Sequence, residues 1–73
     1  MPAPITGPVT SVSFRDQMGF TVAHDGGTTF FVTESDDIMR VIGRVSDVNG
    51  WVSVQFAQDD SGQLVATHVV EAR

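Results

Sequence analysis

Hydrophobic and polar residues alternate along much of the chain, which is the pattern of β-strands with one buried face. Three such runs, VTSVSF, MGFTVA and TTFFVTE, predict strands at residues 9–14, 18–23 and 28–34. Polar residues at 15–17 form the first turn, and HDGG at 24–27, with two glycines that tolerate positive φ, forms the second. The first half of the chain is therefore predicted to contain three successive strands.

The period of the pattern changes after Ser35. In SDDIMRVIGRV the apolar residues recur at helical spacing, at Ile38, Val41, Ile42 and Val45. Ser35 is a candidate N-cap, and the carboxylates of Asp36 and Asp37 suit the positive end of a helix dipole. Because Gly43 is a candidate helix stop, these signals predict a short helix over residues 36–42.

The second half contains an Asn49-Gly50 pair between two β-like runs, RVSDV and WVSVQFA, which is a strong hairpin signal. QDDSG at 58–62 is predicted to be a mobile polar turn, and QLVATHVV at 63–70 the last strand. Alternation along the strands predicts a core that includes Phe30, Val32, Val52, Val54 and Phe56.

Short strands, frequent turn signals and one short helix after the third strand are typical of a small closed barrel of the OB type. We therefore predict an all-β fold of five to six strands with that single helix. Residues 1–73 are predicted to form one domain, in which residues 1–6 are an extended leader held open by Pro2, Pro4 and the following Pro8.

The charge balance narrows the possible functions. The chain carries nine acidic residues, four arginines and no lysine, which gives a net charge of −5. Nucleic-acid-binding proteins usually have a basic surface, because neutralising phosphates supplies much of their affinity. Nucleic-acid binding by this chain would have to rest on base stacking or on a local group of arginines.

The sequence contains no recognisable motif for catalysis, a cofactor or a metal. It has no cysteine, and its two histidines lie outside any metal-ligand spacing. The pairs Asp36-Asp37 and Asp59-Asp60 fit helix capping and a solvated turn better than a calcium loop. No apolar run is long enough for a transmembrane helix. We expect a cytoplasmic protein without enzymatic activity, cofactor, bound metal or membrane partner.

Residues 7–35 resemble the first half of the bacterial cold-shock domain, without gaps. The matching positions are Gly7, Val9, Gly19, Phe20, Asp25, Gly26, Gly27, Phe31, Val32 and Ser35. A looser match continues through VSVQF, Gly62, Ala66 and Val69, and the Asn-Gly pair falls outside the family pattern. The resemblance implies an OB-fold barrel that binds single-stranded RNA or DNA.

The resemblance also places Phe20 and Phe31 at base-stacking positions on adjacent strands. To these we add Met18 and Trp51 as apolar neighbours, and Arg15 and Arg44 as the nearest cations. These six residues are the predicted nucleic-acid-binding site.

Several positions depart from the family pattern. The family's first-strand lysine and tryptophan are Thr10 and Ser11 here, and a glycine and a phenylalanine of its first aromatic motif are Gln17 and Met18. Its histidine and phenylalanine after the Phe-Val pair are Thr33 and Glu34. Because stacking contributes about 1–3 kcal/mol per base, and Glu34 repels phosphate, any binding is predicted to be weak.

Two arguments disagree about which face of the second strand is buried. Alternation places Met18, Phe20 and Val22 together, which indicates a buried face. The family register turns the same face outward, where it would form an uncharged patch suited to a base or to a protein. Trp51 is likewise open to two interpretations, as a ligand contact or as packing on a neighbouring loop.

Two functions follow from these observations. The leading hypothesis is weak binding of single-stranded RNA or DNA, with little sequence preference, by base stacking. The alternative is a protein-interaction or self-associating module that kept the barrel and lost the nucleic-acid site, which the charge of −5 favours. We expect a monomer or a weak dimer.

Overall fold

The structure, a computed structural model, describes residues 3–15 and 17–72. In chain order the elements are β1 (Ile5–Ser13), β2 (Gly19–His24), β3 (Gly27–Val32), α1 (Asp36–Asp47), β4 (Trp51–Gln58) and β5 (Leu64–Glu71). The strands form a closed barrel in the order β1-β2-β3-β5-β4. The predicted fold class is confirmed: the protein is a small five-stranded barrel with its helix after the third strand.

Strand β1 closes the barrel by pairing with two partners. Its first part pairs antiparallel with β4, from Ile5 opposite Val54 to Pro8 opposite Trp51, and its second part pairs with β2. The leader predicted at residues 1–6 is therefore wrong at Ile5 and Thr6, which belong to the sheet; residues 1 and 2 lie outside the described part of the chain. The prolines near the N-terminus suggested a backbone that lies outside the sheet. Pro8, however, lies within β1, where this strand changes its partner from β4 to β2.

Helix α1 begins as predicted and ends later. The Ser35 hydroxyl accepts a hydrogen bond from the Ile38 N–H at 3.3 Å, which confirms Ser35 as the N-cap. The helix continues through Gly43 to Asp47, five residues beyond the predicted end at residue 42. The prediction failed because a glycine stops a helix only where the backbone turns left-handed, and Gly43 has no positive φ.

The Asn49-Gly50 pair ends the helix and does not form the predicted hairpin. Asn49 has a φ of +54°. The Asn49 N–H donates to the Ser46 carbonyl at 3.2 Å, and the Gly50 N–H donates to the Val45 carbonyl at 2.9 Å. This is the bonding pattern of a Schellman motif. Residues 44–47 of the RVSDV run are helical and Val48 is the C-cap, so the second half supplies two strands and the barrel has five in all.

The core fills the barrel and the space under α1, which packs across β1, β4 and β5. Its buried members are Phe20, Val22, Phe31, Met39, Ile42, Val45, Val52, Val54 and Ala66. Phe31 connects the aromatic side chains, with its ring centroid 5.5 Å from that of Phe20 and 5.2 Å from that of Phe56. Of the predicted core residues Phe30 is wrong, because it is 48% exposed on the outer face of β3.

Within the described ranges, no helix has the length and apolar character needed to cross a membrane.

Candidate functional site

Phe20 and Phe31 do not form an exposed stacking pair. Both side chains are 0% exposed, and they face each other across the β2–β3 ladder inside the barrel. The outward orientation taken from the cold-shock register is therefore wrong, and the alternation argument, which buried Phe20, is right. The side chains of successive residues in a strand point to opposite faces of the sheet. Phe30 and Thr21, which neighbour Phe31 and Phe20 in the chain, therefore lie on the outer face.

The outer face of β1, β2 and β3 is uncharged and rich in hydroxyl groups. Its members are Thr10, Ser11, Ser13, Thr21, Ala23, Thr28 and Phe30. The Ser11 hydroxyl donates to the Thr21 hydroxyl at 3.0 Å, and the Thr10 hydroxyl donates to the Thr21 carbonyl at 3.3 Å. The Phe30 ring lies over Gly19, where an added Cβ would come within 2.5 Å of the ring. Phe30 is the aromatic residue of this face.

The other four predicted site residues are dispersed. Met18 is half-buried against the core, and Arg15 is exposed in the β1–β2 loop. Trp51, 39% exposed, lies where β4 pairs with β1, opposite Pro8. Arg44, in the last turn of α1, forms an ion pair with Glu71 of β5 at 3.4 Å. The structure therefore does not bring the six predicted residues together into one site.

A cleft of about 440 Å³ lies between the β1–β2 loop, the end of β3 and the β4–β5 loop. Its apolar walls come from Val32, Val65 and Ala66, beside the buried Thr33. Its polar side chains are those of Gln17, Glu34, Ser35, Asp59 and Gln63. A neighbouring depression shares Gln17, Thr33 and Glu34 and adds Arg15 and Met18. We call the first of these the loop cleft.

Hydrogen bonds join the two loops that form the loop cleft. The side-chain amide of Gln63 donates to the Gln17 amide oxygen at 3.3 Å, and that of Gln17 donates to the Gln63 oxygen at 3.5 Å. Because both partners are exposed, this pair can open to admit a ligand at little energetic cost.

The β4–β5 loop, predicted to be a mobile turn, is held by the Asp59 side chain. One Asp59 carboxylate oxygen accepts hydrogen bonds from the Ser61 hydroxyl at 2.8 Å and from the N–H groups of Ser61 and Gln63, both at 2.9 Å. Gly62 takes the left-handed conformation, with a φ of +91°. The Ser61 hydroxyl and then these backbone donors lower the pKa of Asp59, so its carboxylate keeps its charge to a lower pH than an ordinary aspartate does.

Thr33 positions Glu34 at the other side of the loop cleft. The buried Thr33 hydroxyl accepts the Ser35 N–H at 3.0 Å, and the Thr33 N–H donates to the Met18 carbonyl at 3.1 Å. Glu34 lies between Thr33 and Ser35 in the chain, and its side chain is exposed. Thr33 thus has a structural role, and Glu34 supplies a negative charge at the cleft.

The electrostatics of the loop cleft favour a cation. Glu34 and Asp59 contribute carboxylates and the two glutamines contribute neutral amides, whereas Arg15 lines the neighbouring depression. Among the residues that the structure describes, no three His, Asp or Glu side chains are grouped closely enough to hold a metal ion. The apolar walls beside the two carboxylates suit a cationic organic group with an apolar stem.

Gln17, Glu34 and Asp59 are far apart in the sequence, and no pattern in it indicates that they share a cleft. They belong to three different connections between elements, which closure of the barrel brings together. Comparison of this chain with protein-family models, with curated proteins and with solved structures finds no match. The fold and the geometry of the cleft are the basis on which a function can be proposed.

Proposed function

We propose that this barrel is a protein-interaction module that binds a basic segment of a partner protein in the loop cleft. The observation that carries the proposal is the combination of an apolar wall, from Val32, Val65 and Ala66, with the carboxylates of Glu34 and Asp59. Lysine and arginine side chains match this combination, because their aliphatic stems cover apolar surface while their charged ends stay in water.

The position of the loop cleft supports the proposal. OB-fold proteins bind oligonucleotides and oligosaccharides over the outer faces of strands 2 and 3 and between the β1–β2 and β4–β5 loops, so this region of the fold is a binding surface. In this chain those two loops, with the end of β3, form the loop cleft. The net charge of −5 adds a long-range attraction for basic partners and a repulsion for phosphate chains.

A direct test uses short peptides and backbone amide shifts. The probe is the peptide Gly-Arg-Gly-Arg-Gly, and its matched control is Gly-Glu-Gly-Glu-Gly. We expect the arginine peptide to shift the amides of Thr33, Glu34 and Gln63, and the glutamate peptide to leave them unchanged. Two exposed ion pairs contribute only about 0.2–1 kcal/mol each, so affinity is expected to be in the millimolar range.

Variants assign the effect to the cleft. Glu34→Gln removes one carboxylate and should weaken binding of the arginine peptide about threefold, in line with one exposed ion pair. Asp47→Asn removes the same charge from the end of α1, away from the cleft, and should change binding little. Equal weakening by both variants, or shifts spread evenly over the acidic surface, would show non-specific attraction and contradict the proposal.

Binding of single-stranded RNA or DNA is a second candidate, now on the outer face of β1–β3. Three features favour it: the resemblance to cold-shock domains, the exposed aromatics Phe30 (48%) and Phe14 (64%), and the exposed Arg15. Each aromatic can stack on a base without a sequence preference. With Arg15 as the only cation close to these residues in sequence, binding is expected to be weak and sensitive to salt.

Oligo-dT and oligo-U of about eight nucleotides, within the site size of one OB fold, test this candidate. Binding predicts amide shifts at residues 11–15, 21 and 28–30 that shrink as salt is added and disappear in Phe30→Ala. No shift with millimolar oligonucleotide at low salt would exclude the nucleic-acid function and leave the protein-interaction proposal unaffected.

A further inference from the structure

Strand β3 has a hydrogen-bonding edge that the barrel does not use. On one side β3 pairs with β2 along its full length, from Gly27 opposite His24 to Val32 opposite Gly19. On the other side only Val32 is paired, with Val65 of the parallel strand β5. Within the described ranges, no residue of another strand pairs with β3 on that side at residues 27–31. We call residues 27–31 of β3 the free edge.

The ladder geometry shows which groups point out of the free edge. The Thr33 N–H donates to the Met18 carbonyl, so these two residues form a hydrogen-bonded pair with β2 just beyond β3. Hydrogen-bonded and non-hydrogen-bonded pairs alternate in an antiparallel ladder, which assigns Phe31 and Thr29 to the bonds with β2. The N–H and C=O groups of Thr28 and Phe30 therefore point away from β2, into the free edge.

The free edge lacks the features that normally protect an exposed strand. Proteins block such edges with charged side chains, prolines or bulges. The β3 sequence GTTFFV has no charge and no proline, and its pairing with β2 is regular. Thr28 and Phe30 are exposed, and threonine and phenylalanine are residues that favour strand pairing. An extended peptide can add to an edge of this kind through main-chain hydrogen bonds.

Both ends of the free edge carry negative charge. Asp25 lies in the turn that precedes β3, with its side chain 97% exposed and one carboxylate oxygen 3.4 Å from His24 Nδ1, and Glu34 follows β3 and is also exposed. At the Glu34 end, Val32 belongs both to β3 and to the wall of the loop cleft, so the edge leads into the cleft. A strand laid along the edge would thus meet a carboxylate at each end.

We propose that the free edge of β3 binds an extended partner segment as an added strand, and that this segment carries a basic residue at each end of an uncharged, β-forming core. The inference rests on the proposed function, because it specifies how the partner docks. One basic residue pairs with Asp25, and the other enters the loop cleft beside Glu34. The strand between them bonds to the backbone of Thr28 and Phe30.

Charge distinguishes this occupant from a second copy of the chain. Pairing β3 with β3 of another copy would bring together the acidic ends of both strands, at Asp25 and Glu34. It would also join two molecules that each carry a net charge of −5. Like charges placed opposite each other in a sheet are destabilising, whereas a segment with basic ends removes the repulsion.

The test combines a strand-forming peptide with amide hydrogen exchange. The probe is acetyl-Arg-Thr-Val-Thr-Val-Arg-amide, and its control carries glutamate in place of both arginines. In the free protein the Thr28 and Phe30 amides should exchange fast, because they have no partner on the free edge. Saturation with the probe should slow both by at least tenfold, while the control peptide leaves them unchanged.

Two pairs of variants separate the edge from other surfaces. Thr28→Pro removes an edge N–H and should abolish binding of the probe, whereas Thr28→Ala keeps that N–H and should retain it. Asp25→Asn with Glu34→Gln should weaken binding about ninefold, because two exposed ion pairs, each worth about threefold, are lost. The control pair Asp36→Asn with Asp47→Asn removes the same charge from α1 and should leave binding within about twofold.

The outcomes distinguish this inference from the proposed function. Arginine-peptide shifts at the loop cleft, without protection of Thr28 and Phe30 by the strand-forming probe, would overturn the edge inference and leave the cleft function standing. Protection at the edge without any response of Thr33 and Gln63 to the arginine peptide would overturn the cleft function, and with it the placement of a basic residue beside Glu34, and would leave strand addition at the edge standing. Protection that appears without peptide as protein concentration rises would identify a second copy as the occupant and overturn the inference.

Discussion

Phe30 and Phe31 are neighbours in the chain and lie in opposite environments. Phe31 is 0% exposed and packs between Phe20 and Phe56, whereas Phe30 is 48% exposed and lies over Gly19. Strand β3 has one phenylalanine on each face, so its composition does not show which of the two is buried. The register with β2 decides it, because Phe20 and Phe31 face each other in the interior.

This difference predicts opposite effects of the same substitution. Phe31→Ala should cost about 3–5 kcal/mol, through lost burial and the cavity it leaves, and so remove most of the stability of a domain this small. Phe30→Ala should cost about 1 kcal/mol, because only its packing over Gly19 is lost. Urea unfolding of both variants measures the two costs. A larger loss for Phe30→Ala would contradict the assignment of the faces.

At the scale of elements, helix α1 shows how each end is determined by local hydrogen bonds. Ser35 caps the first turn, and the Schellman motif at Asn49 and Gly50 ends the last. Gly43 lies in the helix interior, where an added Cβ would have no neighbour within 4 Å. The helix therefore gains nothing from having a glycine at this position.

The two helix positions predict opposite responses to alanine. Gly43→Ala should stabilise the protein by about 0.5–1 kcal/mol, since alanine loses less backbone entropy and meets no obstacle. Asn49→Ala should destabilise it by about 1 kcal/mol, because alanine is disfavoured at a φ of +54°. Thermal unfolding of the two variants checks both signs. As a control, Asn49→Gly should be nearly neutral or slightly stabilising.

In the β4–β5 loop, the lowered pKa of Asp59 predicts that the hydrogen bonds to its carboxylate weaken in strong acid. The lowered pKa of Asp59 means that the folded loop binds its proton less readily than the unfolded chain does. The contribution of the Asp59 carboxylate to the stability of the folded protein is therefore fully present above the pKa of an unfolded aspartate, about 3.9. It is lost as pH falls through the lower pKa of the folded state.

Acid titration followed by amide shifts should show this loss at Ser61 and Gln63, whose N–H groups bond to Asp59. Asp59→Asn should weaken the same bonds at neutral pH, and Asp60→Asn is the matched control, because Asp60 makes no hydrogen bond through its side chain to any described residue. A midpoint at or above the ordinary aspartate value would contradict the assigned role of Asp59.

At the scale of the whole molecule, the net charge of −5 affects every binding equilibrium. Binding of the arginine peptide should weaken severalfold between about 0.01 and 0.15 M salt, because the Debye length falls from about 30 to 8 Å. The amide titration repeated at both salt concentrations measures this change. The strand-forming peptide should lose less affinity, since main-chain hydrogen bonds supply part of its binding. Equal salt dependence for both peptides would argue against a main-chain contribution.

The sequence determined most of the elements of this protein. Alternation located the strands and indicated that the face of Phe20 is buried, and Ser35 with its two aspartates located the start of α1. The excess of acidic over basic residues determined the net charge of −5. These properties depend on backbone periodicity, capping and composition, which act over a few neighbouring residues and can be inferred from them.

Tertiary structure decided what short-range signals leave open. The Asn49-Gly50 pair serves a hairpin or a helix end equally well, because both need a left-handed residue, and the choice depended on whether RVSDV packed as helix on the barrel. Pairing of Ile5 with Val54 joined the two ends of the sheet. Closure then buried Phe31, exposed Phe30 and brought Glu34 and Asp59 to one cleft, because contacts between distant strands fix which faces and loops meet.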